Sequence, residues 1–122
     1  MMKTKILVIE DNEDNRRIVR DLLTSAGYEV IEAVTGSEGV TAAETQDPEL
    51  ILMDIQLPDF DGYEATRRIK ANPTLSPIPI IAVTSYALSG DDVKAFEAGC
   101  DAYVTKPYSP RKLLAKIREY LQ

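Results

Sequence analysis

The chain contains no histidine and one cysteine, Cys100. Without imidazole, zinc sites and histidine-based acid–base catalysis are excluded, and a lone thiol closes no intramolecular disulfide. No apolar run approaches the roughly 20 residues that cross a bilayer. The apolar stretch in the opening "MMKTKILVIED" is too short for a secretory signal and has no small-residue cleavage site. Basic residues are the minority, 14 Lys and Arg against 20 Asp and Glu, for a net charge of -6. That balance argues against neutralising nucleic-acid phosphates and against anchoring on anionic membranes. The expectation is a cytoplasmic protein with no nucleic-acid or membrane partner. Linkers, internal repeats and low-complexity tracts are also missing.

What is present is a domain's worth of alternating pattern. At 122 residues, 44% of them hydrophobic, the chain is expected to form a single domain over 1–122. Apolar, β-branched runs recur at "KILVI" (5–9), "YEVIEA" (28–33), "ELILM" (49–53), "IPIIAV" (78–83) and "AYVT" (102–105). Several are continuous rather than alternating, as strands buried on both faces read. Amphipathic segments lie between them. "NRRIVRDLLTSAG" puts Ile18, Val19, Leu22 and Leu23 on one helical face and stops at Gly27. "GSEGVTAAETQ" is a weaker helix softened by Gly39, and "GYEATRRIKAN" is halted by Pro73. "SGDDVKAFEAGC" is expected to turn Val93, Ala95 and Phe96 inward and to end at Gly99. "SPRKLLAKIREYL" opens with Ser109 as N-cap and Pro110 at the first helical position. A (βα) unit repeated five times predicts an α/β fold, an open, doubly wound five-stranded parallel sheet with helices on both faces. It is too short for an eight-unit barrel.

Such sheets bind ligands beyond the carboxyl ends of their strands. The first strand delivers Glu10 and Asp11 there, the third Asp54, the fourth Thr84 and Ser85, and the fifth Lys106. Converging carboxylates repel one another, and a lysine offsets only part of that charge. Hard oxygens with no imidazole suit Mg²⁺, with Mn²⁺ as a substitute. Asp11 or Asn12 also reads as a plain helix cap, and Thr84 or Lys106 taken singly is unremarkable. Asp54 is harder to dismiss, because it closes the apolar run Leu50–Met53, where an unpartnered charge is costly. The joint occurrence at several strand ends carries the argument.

The stretches "ILVIEDNEDN", "ELILMDIQLPDFDGYEATRRIK", "IPIIAVTSYA" and "GCDAYVTKPYSPRKL" together resemble the receiver domain of two-component response regulators, over essentially the whole chain. The wording is similar to stand-alone DivK-like receivers and to receiver modules of hybrid histidine kinases. The resemblance implies the flavodoxin-like strand order 2-1-3-4-5. It implies Asp54 as phospho-acceptor, Asp11 as a direct Mg²⁺ ligand, Glu10 acting mainly through a metal-bound water, and the Gln56 backbone carbonyl as a further ligand. It implies that Thr84, the Ser85 amide and Lys106 stabilise the phosphoryl group, that Lys106–Pro107 is a cis peptide, and that Gly62 permits close packing. Thr84 and Tyr103 would form the switch, altering a surface of the fourth helix, fifth strand and fifth helix. The implied partners are a histidine kinase or histidine phosphotransfer protein and a downstream protein target, with the chain a monomer or weak dimer. It would be a signalling acceptor rather than an enzyme, its labile acyl phosphate decaying by hydrolysis, with Tyr86 and Gln56 tuning that decay. Arg16, Arg17, Arg67 and Arg68 read as solvated helix faces, although the first helix docks the kinase-side partner in this family. Phe60 and Tyr63 read as packing or as help in that docking, and Cys100 as a buried small residue.

The residues disfavour three rival readings. An aspartyl-nucleophile phosphatase usually carries its nucleophile on the first strand, with a second acid two residues on, whereas "EDN" has adjacent acids. A flavin-type carrier needs an uncharged phosphate loop where "EDNEDN" stands. A degenerate receiver would lack part of the acid, Thr and Lys set. With no DNA-binding module in the chain, output is expected through protein contact, unless the chain is a module cut from a hybrid kinase or larger regulator.

Overall fold

The computed structural model describes residues 3–84, 91–106 and 108–121. Five strands, β1 (Lys5–Ile9), β2 (Glu29–Ala33), β3 (Leu50–Asp54), β4 (Ile80–Thr84) and β5 (Ala102–Thr105), form one parallel sheet in the order β2-β1-β3-β4-β5. Five helices follow them in turn: α1 (Glu13–Ser25), α2 (Gly36–Gln46), α3 (Gly62–Lys70), α4 (Asp91–Ala98) and α5 (Pro110–Leu121). The expected flavodoxin-like architecture is therefore the observed one.

Successive strand residues face opposite sides, so each apolar strand feeds two cores. Leu7, Ile9, Ile51, Met53, Ile80 and Ala82 pack with α2, α3 and α4. Ile6, Val8, Leu50, Leu52 and Ile81 pack with Val19 and Leu23 of α1 and Leu113 and Ile117 of α5. Truncating Leu23, which is fully buried, to alanine should cost about 2–5 kcal/mol. The same alternation carries Glu10 and Asp54 toward the α1/α5 side, whereas Thr84 and Tyr103 share the other. Ala82 pairs with Tyr103 and Thr84 with Thr105, so Tyr103 stands level with Ala82, one same-face position before Thr84.

Helix ends follow local chemistry. Asn12, not Asp11, caps α1, its side chain accepting from the Asn15 amide; this leaves Asp11 available to the strand-end cluster. Ser109 caps α5 as expected, accepting from Lys112 N–H at 3.0 Å. Gly27 and Gly99 take positive φ after α1 and α4, which glycine adopts without a Cβ clash. Two helical faces differ from expectation. On α4 the residues facing the interior are Ala95 and Ala98, while Val93 and Phe96 are 53% and 52% exposed. On α1 Val19 and Leu23 are buried, Leu22 is half-buried, and Ile18 is 59% exposed. In α4 the pairs 95/98 and 93/96 lie on nearly opposite sides of the helix at 100° per residue. Small alanines let the helix approach its neighbours, and the larger apolar pair is left outside.

Candidate functional site

Glu10 follows β1 directly and Asp54 ends β3, and both are 5% exposed. Lys106 arrives just after β5 and donates to Glu10 Oε1 at 2.8 Å, with Asp54 Oδ2 at 3.8 Å. Asp11 is exposed, yet one carboxylate oxygen from each of Glu10, Asp11 and Asp54 lies within 4.8 Å of the others. Four of the sequence-predicted side chains thus meet at one point. Thr84, buried beside them, accepts a bond from the Gln56 side chain at 2.9 Å, and the Gln56 amide donates to Asp54 Oδ1 at 3.1 Å. Gly62 is required where α3 begins, because a Cβ there would collide with the Asp54 carbonyl oxygen. Tyr103 is half-buried against the α2–α4 core. Ser85, Tyr86 and Pro107, and with Pro107 the expected cis bond, lie outside the described residues.

The electrostatics of this cluster are strained in one direction. Burial, then the hydrogen bond and charge of Glu10, push the Asp54 carboxyl from 3.8 up to about 8. Burial works against ionised Glu10 as well, but bonds from Asp54 and Lys106 outweigh it and hold its carboxyl below the usual value. Two carboxyls crowded beside one lysine thus favour retention of a proton on the Glu10–Asp54 pair when no cation is bound. One lysine does not neutralise three carboxylates, so the donor set fits a hard divalent cation.

Contacts not foreseen from sequence complete the surroundings. Arg16 is not a solvated residue: it donates to the Glu10 carbonyl at 3.0 Å and to Glu32 at 3.1 Å, tying α1 and β2 to the acidic turn. Tyr108 lines the same small cavity as Glu10, Asp54 and Lys106, and burial followed by the two carboxylates raises its phenol. Arg67 and Arg68 pair with Glu64, and the Arg68 guanidinium lies 4.0 Å from the centre of the Phe60 ring. Cys100 is buried, as expected, against Thr66. An arginine at the fourth position of a helix and a tyrosine two after a lysine carry no signal by themselves, since both roles depend on long-range approach.

With this geometry in place, the comparisons with known proteins agree. The response regulator receiver domain family matches residues 6–118. The polar-differentiation response regulator DivK of Brucella ovis is 42% identical over 120 residues, covering 98% of each chain. Among solved structures, a CheY-like receiver domain protein from Methanospirillum hungatei is 38% identical with a TM-score of 0.90, covering 98% of this chain and 94% of its own. The receiver domain of a sensor histidine kinase from Pseudomonas aeruginosa PAO1, with a magnesium ion coordinated in its active-site cleft, is also 38% identical, with a TM-score of 0.92 and 98% of both chains covered. The chain belongs to the response regulator receiver domain family of two-component signalling. Accepting a phosphoryl group is the typical role of that family, and an acidic cluster suited to Mg²⁺ is present here. Family members generally interact with histidine kinases and downstream targets. Among the described residues no helix is long and apolar enough to cross a membrane.

Proposed function

We propose that Asp54 takes a phosphoryl group from a phosphohistidine on a partner protein and that the modification alters the surface of α4, β5 and α5. The observation that carries this reading is the buried Asp54 carboxylate held against Glu10 and Lys106, with Asp11 within reach. Glu10, Asp11, Asp54 and the Gln56 carbonyl would hold Mg²⁺, with Mn²⁺ as a substitute. The cation would supply neutralising charge for the equatorial oxygens of the transferred group. An Asp54 oxygen attacks phosphorus in line, the phosphorus–nitrogen bond breaks, and the partner's imidazole leaves with the electron pair. Lys106 balances charge on the new phosphoryl oxygens, and Thr84 hydrogen-bonds one of them.

Phosphorylation adds about −1.5 to −2 of charge and three acceptor oxygens. To reach them Thr84 exchanges its bond from Gln56 for one to the phosphoryl group. That motion vacates space on the face it shares with Tyr103, whose inward turn couples the site to β5. Exposed Val93 and Phe96 on α4 are then available to a downstream protein. On α1, Ile18 and Leu22 with Tyr108 and Pro110 border a groove of about 560 Å³, which suits docking of the kinase-side partner. The chain acts as a signalling acceptor in the cytoplasm, alone or as a weak dimer, and not as a turnover enzyme. A second reading, a receiver module of a hybrid kinase or larger regulator, is compatible with the 38% identity to a sensor-kinase receiver and has the same chemistry.

The test is intact-mass analysis after incubation with acetyl phosphate and Mg²⁺. One phosphoryl group per wild-type chain and none on Asp54→Asn is the expected result. Full labelling of the variant would move the acceptor elsewhere, and steady release of phosphate from small esters would favour a phosphatase.

A further inference from the structure

We propose that Asp59 is a positioning residue for the cation site, pinning the loop after β3 to the first turn of α2 and so fixing the Gln56 carbonyl. The inference rests on the receiver reading above, in which that carbonyl is a ligand.

The loop of residues 55–61 is tied at both ends. The Ile55 amide donates to the Val83 carbonyl at 3.1 Å, and the Gly62 amide returns to the Ile55 carbonyl at 2.9 Å. Between those ties the chain passes over exposed Pro58 and Asp59. There Asp59 reaches across to another element: Oδ1 accepts from the Gly36 amide at 2.8 Å and Oδ2 from the Ser37 amide at 2.9 Å. These are first-turn donors of α2, at the positive end of its dipole, where a carboxylate is favoured. A packing tie lies beside the polar one. The Phe60 ring rests on Gly36 so closely that a Cβ there would collide with it, and Arg68 covers the ring.

A plain helix cap does not account for this arrangement, because α2 already has one. The Thr35 hydroxyl accepts from the Glu38 amide, and Glu38 reaches back to the Val34 amide at 3.1 Å. Asp59 comes from 22 residues beyond Ser37, so its bonds fix the loop as much as the helix. Desolvation raises its carboxyl, but the amides of Ser37, Gly36 and Phe60 together outweigh this and hold it well below the usual range. A carbonyl ligand three residues upstream on the same short loop inherits that rigidity.

The experiment is calorimetric titration of Mg²⁺ into wild type, Asp59→Ala and Asp59→Asn well below their unfolding temperatures, with amide hydrogen exchange on the same proteins. Asp59→Ala should weaken Mg²⁺ binding about tenfold, the low end for loss of a group that supports a ligand. Asp59→Asn should weaken it less, since its carbonyl keeps one of the two bonds. Exchange should quicken at Gly36, Ser37 and Gln56 together. Faster exchange at Gly36 and Ser37 alone, with Mg²⁺ affinity at the wild-type value, would reduce Asp59 to a cap and overturn the inference while leaving the function intact. Wild-type protein that binds no Mg²⁺ would overturn both. Should Asp59→Ala fail to fold, the near-isosteric Asp59→Asn gives the same comparison.

Discussion

Asp54 combines two demands that oppose each other. In the proposed transfer its charge is needed for attack on phosphorus, yet burial and Glu10 push its carboxyl up to about 8. A folded-state value above the ordinary 3.8 means that between those limits the folded molecule holds a proton the unfolded chain has released. Stability from this group is thus fully present below the lower limit and is lost as pH rises through the upper one. Asp54→Asn removes the opposed charge and keeps a donor for Glu10. In metal-free buffer at pH 8 the variant should be more stable than wild type by roughly 1–3 kcal/mol, the cost of a poorly compensated buried group. The gap should shrink toward pH 4. Denaturant unfolding in chelator at both pH values checks this; a gap that is absent, or that grows toward acid, contradicts the assigned charge state. The residue-scale signal was legible in sequence because a carboxylate closing an apolar run is rare. The contact of Gln56 with Thr84 was not, since 28 residues separate them.

Elements were legible wherever burial was two-sided. Continuous apolar runs marked β1, β3 and β4, and Ser109, Gly27 and Gly99 marked helix ends. Amphipathic faces were harder, because hydrophobicity favours the larger side chains. In α4 Ala95 is buried as expected, but its buried companion is the small Ala98, and the larger Val93 and Phe96 expected beside it face outward. That same mismatch leaves apolar groups in solvent on α1 and α4, where a partner has something to cover. Ile18, at 59% exposed, contributes nothing to the core and borders the groove toward Tyr108 and Pro110. Ile18→Asp should therefore keep the unfolding midpoint and keep labelling by acetyl phosphate. Transfer from a phosphohistidine protein should slow about tenfold or more, as for loss of a buried apolar anchor. Equal slowing with both donors would place the defect in the site rather than in docking.

The whole molecule brings together acids that its chain keeps far apart, and only the parallel sheet explains the meeting. That much follows from five (βα) units. The strand order came from family resemblance, because periodicity does not say which strand is central. Long-range ties such as Arg16 to Glu10 and Asp59 to α2 emerge only once the order is built. The assembled acidic end makes metal and proton rivals for one place. A proton retained by the crowded Glu10–Asp54 pair must leave before three carboxylates share a cation, so binding releases protons and strengthens as pH rises. A ligand at 100 times its dissociation constant adds about 2.7 kcal/mol to stability. The rise in unfolding temperature caused by Mg²⁺ should accordingly be larger at pH 8.5 than at pH 6. It should exceed the effect of NaCl at matched ionic strength and vanish in Asp11→Asn combined with Asp54→Asn. A Mg²⁺ shift independent of pH would mean that Asp54 is already ionised in the cation-free protein. A shift reproduced by NaCl would reduce the cluster to ordinary screened surface charge.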